Sequence, residues 1–167
     1  RFEVNERVDH DGNILIALDP HEVDKLIRNI KKTKAESVAV CLLFSFLRPE
    51  HEHYLGEKLT QAGFHVSLSS EIIPEFREYE RTSTTAVNAY VTPEMDRYLS
   101  RLDLYLSKFI SSPQSANPIR TNFRIMQSNG GSIFLDQARR ESVRCILSGP
   151  AGGVIASEYI FHQAAEK

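Results

Sequence analysis

The feature that most constrains this chain is the unbroken apolar run Val38-Ala39-Val40-Cys41-Leu42-Leu43-Phe44. A strand covered on both faces reads this way, so Ser37 to Phe46 is expected to be an inner strand of a sheet with helices on its faces. The flanks agree. Asp19-Pro20-His21-Glu22 opens a helix, with Asp19 as cap, Pro20 in the first helical position and Glu22 completing the capping signature. Val23, Leu26, Ile27 and Ile30 form its apolar stripe. Pro49 to Ala62 is a second expected helix, closed by Gly63, and Phe64 to Leu68 a further strand. Upstream, Phe2 to Val8 and Ile14 to Leu18 flank Asp9-His10-Asp11-Gly12-Asn13, a hairpin turn. Hairpin–helix–strand–helix–strand is the rhythm of an open α/β sheet.

After Pro74 the apolar spacing turns helical. Val87, Tyr90 and Val91 share one spacing, and Met95, Tyr98, Leu99, Leu102, Tyr105, Leu106 and Phe109 another. Thr92-Pro93 is expected to break this stretch into two helices. Ser111 to Pro118 is rich in Ser, Pro and Asn and reads as a linker. Beyond it the pattern predicts a strand from Asn122 to Gln127, a turn at Ser128-Asn129-Gly130-Gly131 and a short helix from Ile133 to Arg140. A strand from Val143 to Leu147, the turn Ser148-Gly149-Pro150 and a helix from Ala151 onward complete it. The expected division is 1–110, a linker at 111–121, and 122–167.

Among the 167 residues, 41% are hydrophobic and 25% charged, which leaves enough apolar side chains for a core. A formal net charge of −2 sets up no strong field for nucleic acid or an anionic membrane, and no apolar run approaches the length of a bilayer span. Cys41 and Cys145 each sit inside an apolar run and read as small buried hydrophobes in a reducing, cytoplasmic setting. The opening Arg1-Phe2-Glu3-Val4 alternates like a strand already under way, and Ala164-Ala165-Glu166-Lys167 carries no helix stop signal. Both ends therefore read as cut from a longer chain.

Three polar motifs carry chemistry or its bland equivalent. Ser148-Gly149-Pro150-Ala151-Gly152-Gly153 lies between an expected strand and helix, where free N–H groups suit an anion. No Lys-Ser/Thr follows, so it is not a P-loop, and close helix contact through Gly152, Gly153 and Ala156 explains it better. The stretch from Ser69 to Thr85 begins where a strand ends, the usual place for a site in an open α/β sheet. On a helix Arg77, Arg81 and Thr84/Thr85 share a face, with Asn88 a turn further on, and such a face can hold a carboxylate or an acyl oxygen. A solvated ladder of Glu/Arg pairs is the alternative. His51 and His53 stand two residues apart, which puts them on different faces of a helix. They read as part of a solvated first turn with Glu50 and Glu52 near the positive end of the dipole, and no metal is expected.

Three stretches resemble the A subunits of hydantoinases, acetone-type carboxylases and 5-oxoprolinases. They are Val38 to Phe46 with Pro49-Glu50-His51-Glu52, then Leu68-Ser69-Ser70-Glu71 through Pro74 to Thr85 and Asn88-Ala89-Tyr90-Val91, and Met126 to Gly131 with Leu147 to Gly153. The resemblance implies a fragment of an actin-like (ribonuclease H-like) ATPase domain, in which two domains close over ATP. Two Asp-Gly-Gly-Thr-like phosphate loops belong to that fold, and neither occurs here; Gly130-Gly131 has no aspartate before it and no threonine after it. The segment 122–167 is similar to the piece connecting the two domains, but Gly149 stands where chaperones of this fold carry a glutamate before the proline.

The resemblance further implies an ATP-dependent cyclic-amide hydrolase, opening hydantoin or 5-oxoproline rings, with ATP and Mg in the intact enzyme and none in the fragment. A B-type subunit, or a fused equivalent, is the implied partner. The carboxylase branch and a non-catalytic subunit-docking module are the alternatives. Substrate-cleft candidates are Glu71, Arg77, Glu78, Arg81, Thr84, Thr85 and Asn88. Nucleotide-cleft or hinge candidates are Ser128, Asn129, Gly130, Gly131, Ser148, Gly149, Gly152 and Gly153.

Overall fold

A computed structural model describes residues 1–110 and 123–165. The linker expected at 111–121, together with Asn122 and the last two residues, lies outside the described residues. By internal contacts the chain divides into two units, Arg1–Pro93 and Glu94–Lys167. Among the described residues no helix is long and apolar enough to cross a membrane.

The first unit opens with an antiparallel hairpin, β1 (Arg7–Val8) and β2 (Ile14–Ile16), shorter than the sequence predicts. Its turn is tied by Asp9, whose Oδ1 accepts from the backbone N–H groups of Asp11 and Asn13 at 3.0 and 2.8 Å. Helix α1 (Pro20–Lys31) begins as its sequence demands: Asp19 accepts from the His21 N–H at 2.9 Å, with Pro20 beside it. Strand β3 (Ser37–Val40), helix α2 (Glu50–Gln61) and strand β4 (His65–Leu68) follow, with Gly63 at φ +95° turning the chain out of α2. β3 and β4 are parallel, in register from Ser37 opposite His65 to Val40 opposite Leu68. Val23 and Ile30 of α1, Val40, Leu55 and Leu59 of α2, and Leu68 make one buried core.

The apolar run thus stays in the sheet only as far as Val40. Residues 43–47 form a turn in which Phe44 takes φ +57°. Side chains on other elements bind both the N–H and the carbonyl of Leu42, so its backbone groups are not available to extend the ladder.

After a single helical turn, α3 (Ser69–Ile72), the long helix α4 runs from Glu78 to Ile110. The break expected at Thr92-Pro93 does not occur; Pro93 lies inside the helix. A proline removes one N–H donor, and here the turn before it is braced by the Thr92 hydroxyl donating to the Asn88 carbonyl at 2.7 Å.

In the second unit β5 (Arg124–Met126) pairs antiparallel with β6 (Ser132–Phe134) around the turn at Gly130. Ile133 and Phe134, expected to begin a helix, belong to this strand, and α5 covers only Leu135–Arg140. Three alternating residues are too few for a period to show in sequence. The strand expected at Val143–Leu147 is instead a 3-10 turn, Ser142–Cys145, because the Ser142 hydroxyl donates back to the Ala138 carbonyl at 3.0 Å and keeps the chain coiled. Helix α6 (Ser148–Ala165) starts three residues before Ala151; Pro150 is tolerated in its first turn. Leu99, Ile133, Ala138 and Cys145 form the buried core of this unit. Arg139 adds a charged tie from α5 to α4, with Asp96 at 3.6 Å and Asp103 at 3.5 Å.

Gly130 gives this packing a test. It holds φ +86°, and a Cβ there would meet Ile155 Cδ1 at 2.8 Å. Gly12 has a similar φ of +83° and open space around it. Gly12→Ala is expected to cost about 1 kcal/mol from the backbone alone, and Gly130→Ala roughly 1–3 kcal/mol more because Ile155 must move. Adding Ile155→Ala should recover part of the second penalty but none of the first, as read from urea unfolding midpoints.

Candidate functional site

The buried polar groups of the first unit collect at the carboxyl ends of the two parallel strands, where an open α/β sheet places its chemistry. Glu52, in the first turns of α2, is fully buried. Its Oε1 accepts from the Leu42 N–H at 2.8 Å and the Ser69 hydroxyl at 2.7 Å, and its Oε2 from the Ser70 N–H at 2.9 Å. One carboxylate therefore binds the segment leaving β3 and the segment leaving β4. The Ser45 and Ser69 hydroxyls, 3.2 Å apart, extend the network.

From α4, Arg81, Thr85 and Asn88 enter the same region, and each is buried to within 1% of full. Arg81 Nη2 donates to the Leu42 carbonyl at 2.7 Å, the Thr85 hydroxyl to the Arg81 carbonyl at 2.7 Å, and Asn88 Nδ2 to the Ser67 hydroxyl at 2.9 Å. The Phe46 ring centre lies 5.3 Å from Arg81 Cζ. The Leu42 peptide is thus gripped at both ends, its N–H by an anion and its carbonyl by a cation.

Of the substrate-cleft candidates, the structure brings together Arg81, Thr85 and Asn88. Thr84 is half-buried beside them. Glu71, Arg77 and Glu78 are exposed. Arg77 pairs with Glu80 at 3.8 Å, and Glu71 with His53 at 3.8 Å, as a solvated ladder would. The reading of Pro49 to His53 as a solvated turn holds for Glu50 and His53, which are exposed, and fails for His51 and Glu52. Glu52 is the centre of the cluster, and His51 is buried with its Nδ1 2.7 Å from Glu6 Oε2. Sequence reasoning missed Glu52, Ser45 and Ser67. The available signal was an acidic residue in a helix directly following the inner strand. Among the described residues no group of three His, Cys, Asp or Glu can hold a metal.

The nucleotide-cleft candidates fall in two neighbouring places in the second unit. Ser128, Asn129, Gly130 and Gly131 form the β5–β6 turn, and Ser148, Gly149, Gly152 and Gly153 open α6. The Ser128 hydroxyl joins the turn to the α6 approach, donating to the Arg144 carbonyl at 2.9 Å and accepting from the Leu147 N–H at 3.1 Å. Gly152 meets Met126, where a Cβ would come 2.9 Å from Sδ, so close packing accounts for it; Gly149 and Gly153 face open space. The turn's own amides are engaged internally, Gly130 N–H to the Gln127 carbonyl and Gly131 N–H to Asn129 Oδ1.

The Hydantoinase/oxoprolinase family model matches residues 81–167, and that of the Hydantoinase/oxoprolinase N-terminal region matches residues 1–63. The chain belongs to the hydantoinase/oxoprolinase family. It is 33% identical to the 5-oxoprolinase of Saccharomyces cerevisiae over 82% of this chain and 10% of that protein. With the caprolactamase subunit alpha of Pseudomonas jessenii it shares 32% over 90% of this chain and 21% of the relative. The nucleotide-free structure of acetone carboxylase superposes with a TM-score of 0.78 at 27% identity, over 97% of this chain and 22% of that one. The chain therefore spans about a tenth to about a fifth of the length of these relatives. Arg81 is where the match over residues 81–167 begins, and Glu52 lies within the match over residues 1–63.

Two outcomes follow from the cluster. Glu52→Gln turns an acceptor into a donor among three donors and is expected to destabilise the protein by about 2–4 kcal/mol, with Arg81→Ala, which strips the half-buried Leu42 carbonyl of its partner and the clamp of its cation, costing a similar amount. Unfolding midpoints of both variants check this; a change under about 0.5 kcal/mol for either would remove it from the clamp. Burial, with Glu52 nearby, pushes the Cys41 thiol above its ordinary range. A raised pKa keeps the thiol neutral to higher pH. Alkylation of Cys41 should therefore be slow at pH 8 and rise only at pH values above those that activate an ordinary thiol, as followed by peptide mass spectrometry.

Proposed function

We propose that the intact protein is an ATP-dependent cyclic-amide hydrolase that opens a hydantoin or 5-oxoproline ring. The reading is carried by the buried cluster at the ends of β3 and β4, in a chain similar over most of its length to a 5-oxoprolinase and to a caprolactamase subunit. Phosphorylating the amide oxygen converts a resonance-stabilised amide into an acylating species with a good leaving group, the step ATP supplies in such a reaction. On this reading Arg81, Thr85 and Asn88 stand on the substrate side, with Glu52 holding the Leu42 turn in place.

The fold that suits this chemistry is the actin-like one. A two-stranded parallel sheet is rarely stable alone, and residues 37–43, which include the whole of β3, line a cleft of about 810 Å³, the place where a larger sheet would continue. Residues 1–110 would then be the later part of the first domain, 111–121 a linker, and 122–167 the connecting segment. ATP with Mg does not fit the residues of this stretch. The glycine turn at 130–131 has its amides engaged, and among the described residues no acidic cluster can hold a metal. The nucleotide would be held by other parts of the intact protein, in the cytoplasm, with a B-type subunit or fused equivalent as partner. The relative named as a caprolactamase subunit favours that partner.

The likeness to acetone carboxylase supports a second reading, ATP-dependent carboxylation. Phosphate release by the full-length protein separates the two. Stimulation by 5-oxoproline, hydantoin or caprolactam with ring-opened product supports the hydrolase. Stimulation by acetone with bicarbonate, and by no lactam, supports the carboxylase. The chain of 167 residues alone is expected to show no micromolar ATP binding by calorimetry, since it contains neither phosphate loop.

A further inference from the structure

Arg81 is buried to 1% exposure, yet it is only partly bonded. Nη2 donates to the Leu42 carbonyl, while Nε and Nη1, both shielded from solvent, have no hydrogen-bond partner among the described residues. Buried donors without acceptors are rare and costly, and a charged donor costs more than a neutral one. Its charge is offset at a distance by Glu52 across the Leu42 peptide, but Glu52 is engaged by three donors of its own and does not contact the guanidinium within hydrogen-bond distance. What Nε and Nη1 lack is an oxygen to accept from them.

The geometry points to Arg81 as the receptor for a substrate carboxylate. Leu42 uses one N–H of Nη2. The other stands beside the Nε–H on one edge of the guanidinium or beside an Nη1–H on the other, so a two-pronged edge remains that matches the two oxygens of a carboxylate. Leu42 fixes one corner, and the half-buried Phe46 ring packs against the guanidinium at 5.3 Å from Cζ and must turn aside to admit a ligand. The inference rests on the cyclic-amide reading and narrows it to lactams that carry a carboxylate outside the ring.

The test uses the full-length protein and two probes, 5-oxoproline and 2-pyrrolidinone, which share the lactam ring and differ by the carboxylate. Calorimetry of the wild type is expected to show 5-oxoproline binding at least about tenfold more tightly, the ratio that charge-assisted hydrogen bonds support. Arg81→Lys keeps the charge and a donor for Leu42 but loses the planar edge. The ratio of the two affinities should then fall toward one, whatever the variant does to both probes alike. Equal binding of the two probes by wild type, or an undiminished preference in folded Arg81→Lys, overturns the assignment. If that variant fails to fold, a crystal structure of the wild type with 5-oxoproline decides: carboxylate oxygens on Arg81 support it, and ordered water alone or a carboxylate held elsewhere overturns it. The functional reading fails separately, through an absence of ATP-coupled lactam turnover in a protein that still binds the carboxylate at Arg81.

Discussion

The first unit depends on how one peptide is held. Leu42 leaves the sheet just after β3, and its N–H and carbonyl would ordinarily seek the ladder or water. Instead the Glu52 carboxylate takes the N–H and the Arg81 guanidinium takes the carbonyl. Each of those charges would be expensive to bury alone. Placed on opposite ends of a peptide dipole they stabilise one another through it, and Glu52 reaches on to Ser69 and Ser70 at the end of β4. The ends of two strands, the start of α2 and a turn of α4 are thereby fixed relative to one another by polar contacts, with the apolar core of α1, α2 and the sheet lying to one side.

This arrangement explains where the sequence was legible. Caps and periodic stripes are local, so Asp19 before Pro20, the stripe of α1 and Gly63 after α2 all appear where the residues call for them. The apolar run after Ser37 misleads about its own length because apolar character says nothing of backbone direction. Its end is decided by Glu52 and Arg81, 10 and 39 residues away in sequence. Ser142 to Cys145 misleads for a related reason: its β-branched and apolar residues suit a strand, but a hydroxyl bond back into α5 coils it.

The site was half legible. Helical spacing put Arg81, Thr85 and Asn88 on one face, and in the structure all three are buried near the strand ends. Arg77 and Glu78 share the composition but stand at or before the start of α4 and remain in solvent. Glu52 was hidden because acidic residues in a first helical turn are usually explained by the dipole. Its burial follows from α2 lying against the strand ends, a fact of tertiary structure that no local pattern carries.

The β5–β6 turn bears on how this protein ages. Asn followed by Gly is the sequence in which a side-chain amide is most readily lost, because the next backbone nitrogen can attack the carboxamide carbon and close a succinimide. Here the Gly130 nitrogen donates to the Gln127 carbonyl and Asn129 Oδ1 is held by the Gly131 N–H, so the ring cannot close without breaking both. The folded hairpin is its own preservative. Each excursion that frays it exposes Asn129 to conversion into aspartate or isoaspartate, and the latter inserts an extra methylene into the main chain beside a glycine already fixed against Ile155. Chemical lifetime in storage is therefore tied to the fraction of time this one hairpin stands open, and not to the exposure of Asn129.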